Sequence, residues 1–235
     1  MVPVGASCGP FGSPLPVPTV QGIAFSTNGN RAYVTQGGAS GMVWMIDPSS
    51  NAFLGTIVAG SSPHGICADP NGSFLYVANN GAGNVSVVYV GTSAVVSTVA
   101  TGGAPWNVVS PSSGIVCMTD PSGGKMAAYN TGTGSVVWSY NAGRSPWDVA
   151  AGTGNTYWTR DGASDVWCLN AATGSFVWSC TVGSNPRGVA VAPASGSGLV
   201  YACDSGSGTV SVIPPSGGSV SPISVGGAPE WIAPK

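Results

Sequence analysis

One short pattern returns along this chain at a nearly constant interval, and it limits the possible folds more than any other feature. A small or polar residue and a proline are followed by two variable positions and then Val or Ile. The copies are Ser62-Pro63-His64-Gly65-Ile66, Ala104-Pro105-Trp106-Asn107-Val108, Ser145-Pro146-Trp147-Asp148-Val149, Asn185-Pro186-Arg187-Gly188-Val189 and Ala228-Pro229-Glu230-Trp231-Ile232. Their prolines lie 42, 41, 40 and 43 residues apart, and Gly65 maps back onto Gly22 at a step of 43. Five periods therefore run from about Pro18 to Ala228, and a sixth begins at the C-terminal end. A period of this length marks a supersecondary unit that cannot bury its own apolar faces and must stack on its neighbours.

Each period holds four short β-type runs. In the second they are Gly65–Ala68, Phe74–Ala78, Val85–Val90 and Val95–Ala100, rich in Val, Ile and Tyr. Between them lie the turn clusters Asp69-Pro70-Asn71-Gly72, Asn79-Asn80-Gly81-Ala82-Gly83 and Gly91-Thr92-Ser93. No segment keeps a helical period over three turns. Four strands in a unit of about 40–45 residues is the signature of a propeller blade. The expected fold is therefore all-β, a β-propeller of about five four-stranded blades over residues 19–235. The alternative is six blades, one of them completed by another segment or chain. Residues 1–18, with their prolines and glycines, read as an extended N-terminal arm without a secretory signal.

Composition narrows the partners. Charged residues make up 6% of the chain and the formal net charge is −2, so no basic field exists to attract nucleic acid. Apolar runs stay far below the roughly 20 residues of a membrane-spanning helix, so no membrane insertion is expected. Six cysteines stand singly, without a Cys-x-x-Cys pair, and there is one histidine. That pattern is unlike a zinc site and better suits buried small hydrophobes than a disulfide framework. No metal and no cofactor are expected.

The second run of each period carries a resemblance to a known family. Ala32-Tyr33-Val34-Thr35-Gln36 and Leu75-Tyr76-Val77-Ala78-Asn79 resemble the Tyr-Val-Thr-Asn motif of YVTN-repeat propellers. Thr156-Tyr157-Trp158-Thr159-Arg160 and Val200-Tyr201-Ala202-Cys203-Asp204 are looser copies, and Ile115–Thr119 has lost the tyrosine. Two units also resemble quinoprotein-type blades, in which a Thr-Gly turn precedes a tryptophan that packs between blades. Here those are Thr133-Gly134 with Trp138 and Thr173-Gly174 with Trp178. Both resemblances imply the propeller fold, and propellers host unrelated functions.

In such a blade the first strand lines the central channel. The position after each recurring proline then brings Gln21, His64, Trp106, Trp147, Arg187 and Glu230 to one mouth, with Trp231 beside the last. Loops between second and third strands open on the same face with Asn79, Asn80, Thr119, Asp120, Arg160, Asp161 and Asp204. Aromatic faces beside amides and carboxylates suit a glycan. Equally, Trp106 and Trp147 can act as a plug. No catalytic residue is assigned, because His64 has no partner in the sequence and no nucleophile elbow is present. The resulting expectation is a non-enzymatic recognition or structural propeller, part of an extracellular, cell-surface or virion assembly. Its partners would be neighbouring protein subunits and a glycan at the mouth. A lyase or hydrolase with His64 as base and Glu230 as acid, which a resemblance to propeller lyases allows, and a bare scaffold with a plugged channel are the alternatives.

Overall fold

The computed structural model describes residues 19–143, 145–192 and 198–233; the expected arm, residues 1–18, lies outside them. The chain folds as a β-propeller of five four-stranded antiparallel sheets, each taken from consecutive sequence. The first blade comprises β1 (Val20–Phe25), β2 (Ala32–Gln36), β3 (Met42–Asp47) and β4 (Ala52–Val58). The second comprises β5 (Pro63–Ala68), β6 (Phe74–Asn79), β7 (Asn84–Tyr89) and β8 (Ala94–Ala100). In the third, β9 (Val108–Ser112), β10 (Ile115–Asp120), β11 (Lys125–Asn130) and β12 (Val136–Asn141) follow the same order. The fourth holds β13 (Pro146–Ala151), β14 (Asn155–Arg160), β15 (Asp165–Asn170) and β16 (Phe176–Thr181), with a 3-10 turn at Asp161–Ala163. The fifth is β17 (Pro186–Val191), β18 (Val200–Asp204), β19 (Thr209–Ile213) and β20 (Ser221–Ser224).

The recurring pattern has a specific structural job. In β1, β5, β13 and β17 the register slips between the proline position and the Val or Ile, so the two variable residues form a bulge. A bulge re-aims its side chains and leaves backbone groups unpaired. The threonine of the second strand supplies the missing bonds. Thr35 Oγ1 accepts from Gly22 N at 2.8 Å and donates to the His64 carbonyl of the next blade at 2.6 Å. Thr119 does the same between Asn107 N and the Trp147 carbonyl, both at 3.1 Å. Thr159 repeats it between Asp148 N at 3.1 Å and the Arg187 carbonyl at 2.5 Å. One hydroxyl thus closes a bulge and ties each of these blades to its successor.

Apolar packing follows the same step. The Val or Ile that ends each pattern plugs into the face of the preceding blade: Ile66 is 6% exposed, Val108 4%, Val149 5% and Val189 5%. Facing them are the second-strand tyrosines Tyr33, Tyr76 and Tyr157, all buried. The third blade carries Cys117 in the tyrosine slot, and Met126, Trp138 and Trp158 fill that interface instead. Trp138 docks on the following blade, donating from Nε1 to the Ala171 carbonyl at 3.1 Å and lying over Gly174. A Cβ on Gly174 would sit 2.5 Å from Trp138 Cγ, and its φ is +70°, so two requirements coincide on glycine there. Trp178 repeats the contact with the Pro215 carbonyl and Gly217.

The circle of interfaces is not closed by β17 on β1. Ile23 is the first-blade counterpart of the four plugs above, yet it is 59% exposed, and Phe25 beside it is 53% exposed. Val34 and Trp44 on the same face are half-buried. On the far side, Tyr201, Val210 and Val212 of the fifth blade are also half-buried, and Ile223 is exposed. Against β17 lies the segment 229–232. A Cβ on Gly188 would meet the Glu230 carbonyl at 2.6 Å and Trp231 Cα at 3.0 Å. Gly22 meets the His64 carbonyl at 2.7 Å in the same manner. The C-terminal copy of the pattern therefore occupies the place of the first strand of a sixth blade, beside five complete ones.

Candidate functional site: the channel mouth and the cavity beneath it

The bulges aim the residues after the recurring prolines toward one end of the channel, where they meet in sequence order. The His64 and Trp106 rings lie 3.5 Å apart between centroids, and Trp106 and Trp147 lie 5.3 Å apart. The Arg187 guanidinium stands 4.6 Å over the Trp147 ring and donates from Nη1 to Glu230 Oε1 at 2.6 Å. Five of the seven residues expected at the mouth therefore form one continuous stack. Gln21 lies outside the stack beside Gly37, and Trp231 is 57% exposed. Stacked rings, a cation on an aromatic face and an ion pair satisfy one another. Within this stack the indole Nε1 of Trp106 and the Nε of Arg187 are buried donors without a partner among the described residues.

Beside this stack is a cavity of about 580 Å³, lined by Gln21, His64, Ile66, Asn107, Asp148 and Trp231 among others. Of the seven residues expected at the mouth, Gln21, His64 and Trp231 are in that wall, and Trp106, Trp147, Arg187 and Glu230 are not.

Asn107 and Asp148 were not singled out by sequence reasoning. They occupy the bulge position that is glycine at Gly22, Gly65 and Gly188, and that departure was the available signal. Asp148 is hydrogen-bonded to Asn107 Nδ2 and accepts from Val189 N and Val149 N at 2.8 Å each. One carboxylate thereby bridges the third, fourth and fifth blades. Burial raises its pKa to about 6, against the lowering effect of those three bonds. Burial acts oppositely on His64, taking it down to about 4, so its imidazole is neutral at pH 7.

The loop residues expected to frame the mouth do other work, and this too is a correction. Asn79 is fully buried and donates to Asn84 Oδ1 and Ser86 Oγ at 2.8 Å each. Asp120 accepts from Ala104 N at 3.1 Å and Gly123 N at 2.8 Å. Asp204 accepts from Thr209 and Ser211 hydroxyls, and Thr119 is the inter-blade link described above. Arg160 pairs with Asp165 and lies 4.1 Å over the Trp167 ring. Asn80 donates to the Ala104 carbonyl at 3.2 Å, and Asp161 opens the 3-10 turn. Each fixes a corner of its blade. These side chains are committed to the fold.

Among the described residues Cys67, Cys117, Cys168, Cys180 and Cys203 are free thiols, and all but Cys67 are buried; Cys8 lies outside them. Burial raises the pKa of Cys168 and Cys203 to about 11 and that of Cys67 and Cys117 further still. No three His, Cys, Asp or Glu side chains among the described residues come together as a metal-ligand set.

No known family profile and no curated protein matches the sequence. Among solved structures the chain is similar to Kuenenia stuttgartiensis hydrazine synthase, with 21% identity and a TM-score of 0.76. The match covers 94% of this chain and 70% of that one. At this identity the likeness is one of fold.

Proposed function

We propose that this chain is a non-enzymatic structural and recognition module of the YVTN-repeat type, working in an extracellular, cell-surface or virion assembly. The observation that carries the reading is a pair of blade faces that the described residues leave largely open. Each internal interface joins a second-strand face, tyrosine-bearing in three of the four and Cys117-bearing in the other, to a Val/Ile plug. The fifth blade presents the first kind, through Tyr201, Val210, Val212 and Ile223, with only the C-terminal segment 229–232 standing against its first strand, and the first blade presents the second, through Ile23 and Phe25. The two are complementary but separated within one molecule, so neighbouring copies of the chain fit head to tail. Such a contact is heterologous and builds larger arrays or rings rather than two-fold dimers. Exposed apolar clusters of this kind are what assembly surfaces look like before they are covered, and a chain with 6% charged residues has little repulsion to oppose association.

The mouth fits a non-catalytic role. A His64 stacked on Trp106 with its basicity lowered by burial, and a Glu230 held by Arg187, are poorly placed to exchange protons with a substrate. Exposed Trp231, with the Glu230–Arg187 pair beside it, offers a platform for the C–H face of a neutral glycan.

Native mass measurement over a concentration series tests the assembly role. The wild-type chain is expected to form species beyond a dimer, and Ile23→Glu to remain a monomer of unchanged fold. A monomer at every concentration refutes it. A glycan array tests the recognition role: hits lost in Trp231→Ala support it, and an empty array removes it. Turnover of a small polar substrate that disappears in His64→Ala would replace both with the enzymatic alternative.

A further inference from the structure

At the end opposite the mouth, a cavity of about 390 Å³ opens between the first and second blades, with Ser26, Asn28, Asn30, Arg31, Tyr33 and Gly91 in its wall. Tyr33 is 1% exposed, and its hydroxyl has no hydrogen-bond partner. Arg31 is half-buried, and among the described residues its guanidinium has neither a hydrogen bond nor an ion pair, the two ion pairs being Arg160–Asp165 and Arg187–Glu230. A buried hydroxyl and a cation facing one cavity without acceptors are both costly arrangements.

The repeat shows what is missing. One blade on, at the constant step of 43 residues, Tyr76 stands for Tyr33, Asp69 for Ser26 and Phe74 for Arg31. There the Tyr76 hydroxyl donates to Asp69 Oδ1 at 3.3 Å, and Asp69 Oδ2 accepts from Ser113 Oγ of the following blade at 3.2 Å. A protein carboxylate satisfies the buried tyrosine. At the first junction that carboxylate is absent and a guanidinium has been added. The site is one anion short and one cation over.

We propose that this cavity binds the carboxylate of a small polyhydroxylated acid, of the uronic acid class, placing it where the Asp69 carboxylate stands in the next blade. The planar fork of Arg31 matches a carboxylate, and the Tyr33 hydroxyl donates a further bond to it. The Asn28 and Asn30 side chains lie in the same wall and can serve the sugar hydroxyls. The volume is that of a pocket for a single sugar residue. A neutral sugar offers Arg31 and Tyr33 only uncharged hydroxyl acceptors, which bind them more weakly than a carboxylate, so discrimination rests on the carboxylate. This site is independent of the assembly reading above.

Calorimetric titration of the intact chain with glucuronate, glucose and acetate tests it. Glucuronate is expected to bind, with glucose at least tenfold weaker. Arg31→Gln should weaken glucuronate at least tenfold and Tyr33→Phe about fivefold, with circular dichroism unchanged. Ser26→Asp supplies the missing carboxylate from within; it should raise the unfolding midpoint and abolish glucuronate binding. Glucose binding as tightly as glucuronate, undiminished binding in Arg31→Gln, or no binding of any of the three probes overturns the proposal. Acetate binding as tightly as glucuronate overturns its sugar component, since the hydroxyl contacts would then contribute nothing.

Discussion

Ile66 and Ile23 occupy the same position of the repeat, and replacing each by alanine separates the role of the motif from the role of its neighbours. Ile66 is 6% exposed inside the junction of the first and second blades; Ile23 is 59% exposed. Truncating Ile66 removes three buried carbons, worth about 0.8 kcal/mol each, and leaves a cavity between Tyr33, Leu75 and Val77 that the rigid sheets close only in part. The expected cost is about 3 kcal/mol, or on the order of 6–12 °C in melting temperature for a chain of this size. Ile23→Ala, measured at a concentration where the protein is monomeric, should change stability by less than about 0.5 kcal/mol. Urea and thermal unfolding followed by tryptophan fluorescence provide the comparison. Equal costs at the two positions would mean that Ile23 is packed in the isolated chain. The inference that the first blade has an unpartnered face would then fail.

Other substitutions probe the links between blades. Asp148 has a folded pKa raised above its unfolded value, so the stability it confers is present below about pH 4 and lost as pH rises through about 6. His64, lowered to about 4, acts in the opposite sense: its contribution is present above about pH 6.5 and lost as pH falls. Between pH 4 and 6.5 the two slopes oppose each other. Urea midpoints of Asp148→Asn should therefore rise with pH across that window, and those of His64→Gln should fall. Thr159→Val strands the Asp148 N–H and the Arg187 carbonyl, and should cost about 1–3 kcal/mol in chemical denaturation. Trp138→Ala should cost about 3–5 kcal/mol, because it empties the junction in which Trp158 is also buried and strips the Ala171 carbonyl of its donor.

Much of this architecture can be read from the chain before any coordinates. The spacing of Pro63, Pro105, Pro146 and Pro186 yields the blade count, because one copy of the pattern opens each unit after the first. The order in which His64, Trp106, Trp147, Arg187 and Glu230 meet was also legible, since a regular repeat projects equivalent positions to one end. Which of them reach the cavity wall depends on side-chain rotamers, and periodicity says nothing about those. Asn79, Asp120 and Asp204 are expected at the mouth because the loops between second and third strands open on that face. Here the tight turns leave backbone and hydroxyl donors that those side chains must satisfy. The coupling role of Thr35, Thr119 and Thr159 was visible only as a column of the same residue. Its meaning needs the bulge. The exposure of Ile23 depends on which blade precedes it, so no local sequence signal could reveal it.

Concentration-dependent hydrogen exchange tests the assembly claim most directly. If neighbouring copies cover the open faces, amides of β1, β19 and β20 gain protection as the protein is concentrated, while those of the buried strands β6, β10 and β14 keep the same rates. Exchange in β1, β19 and β20 that is identical in dilute and concentrated samples would contradict it.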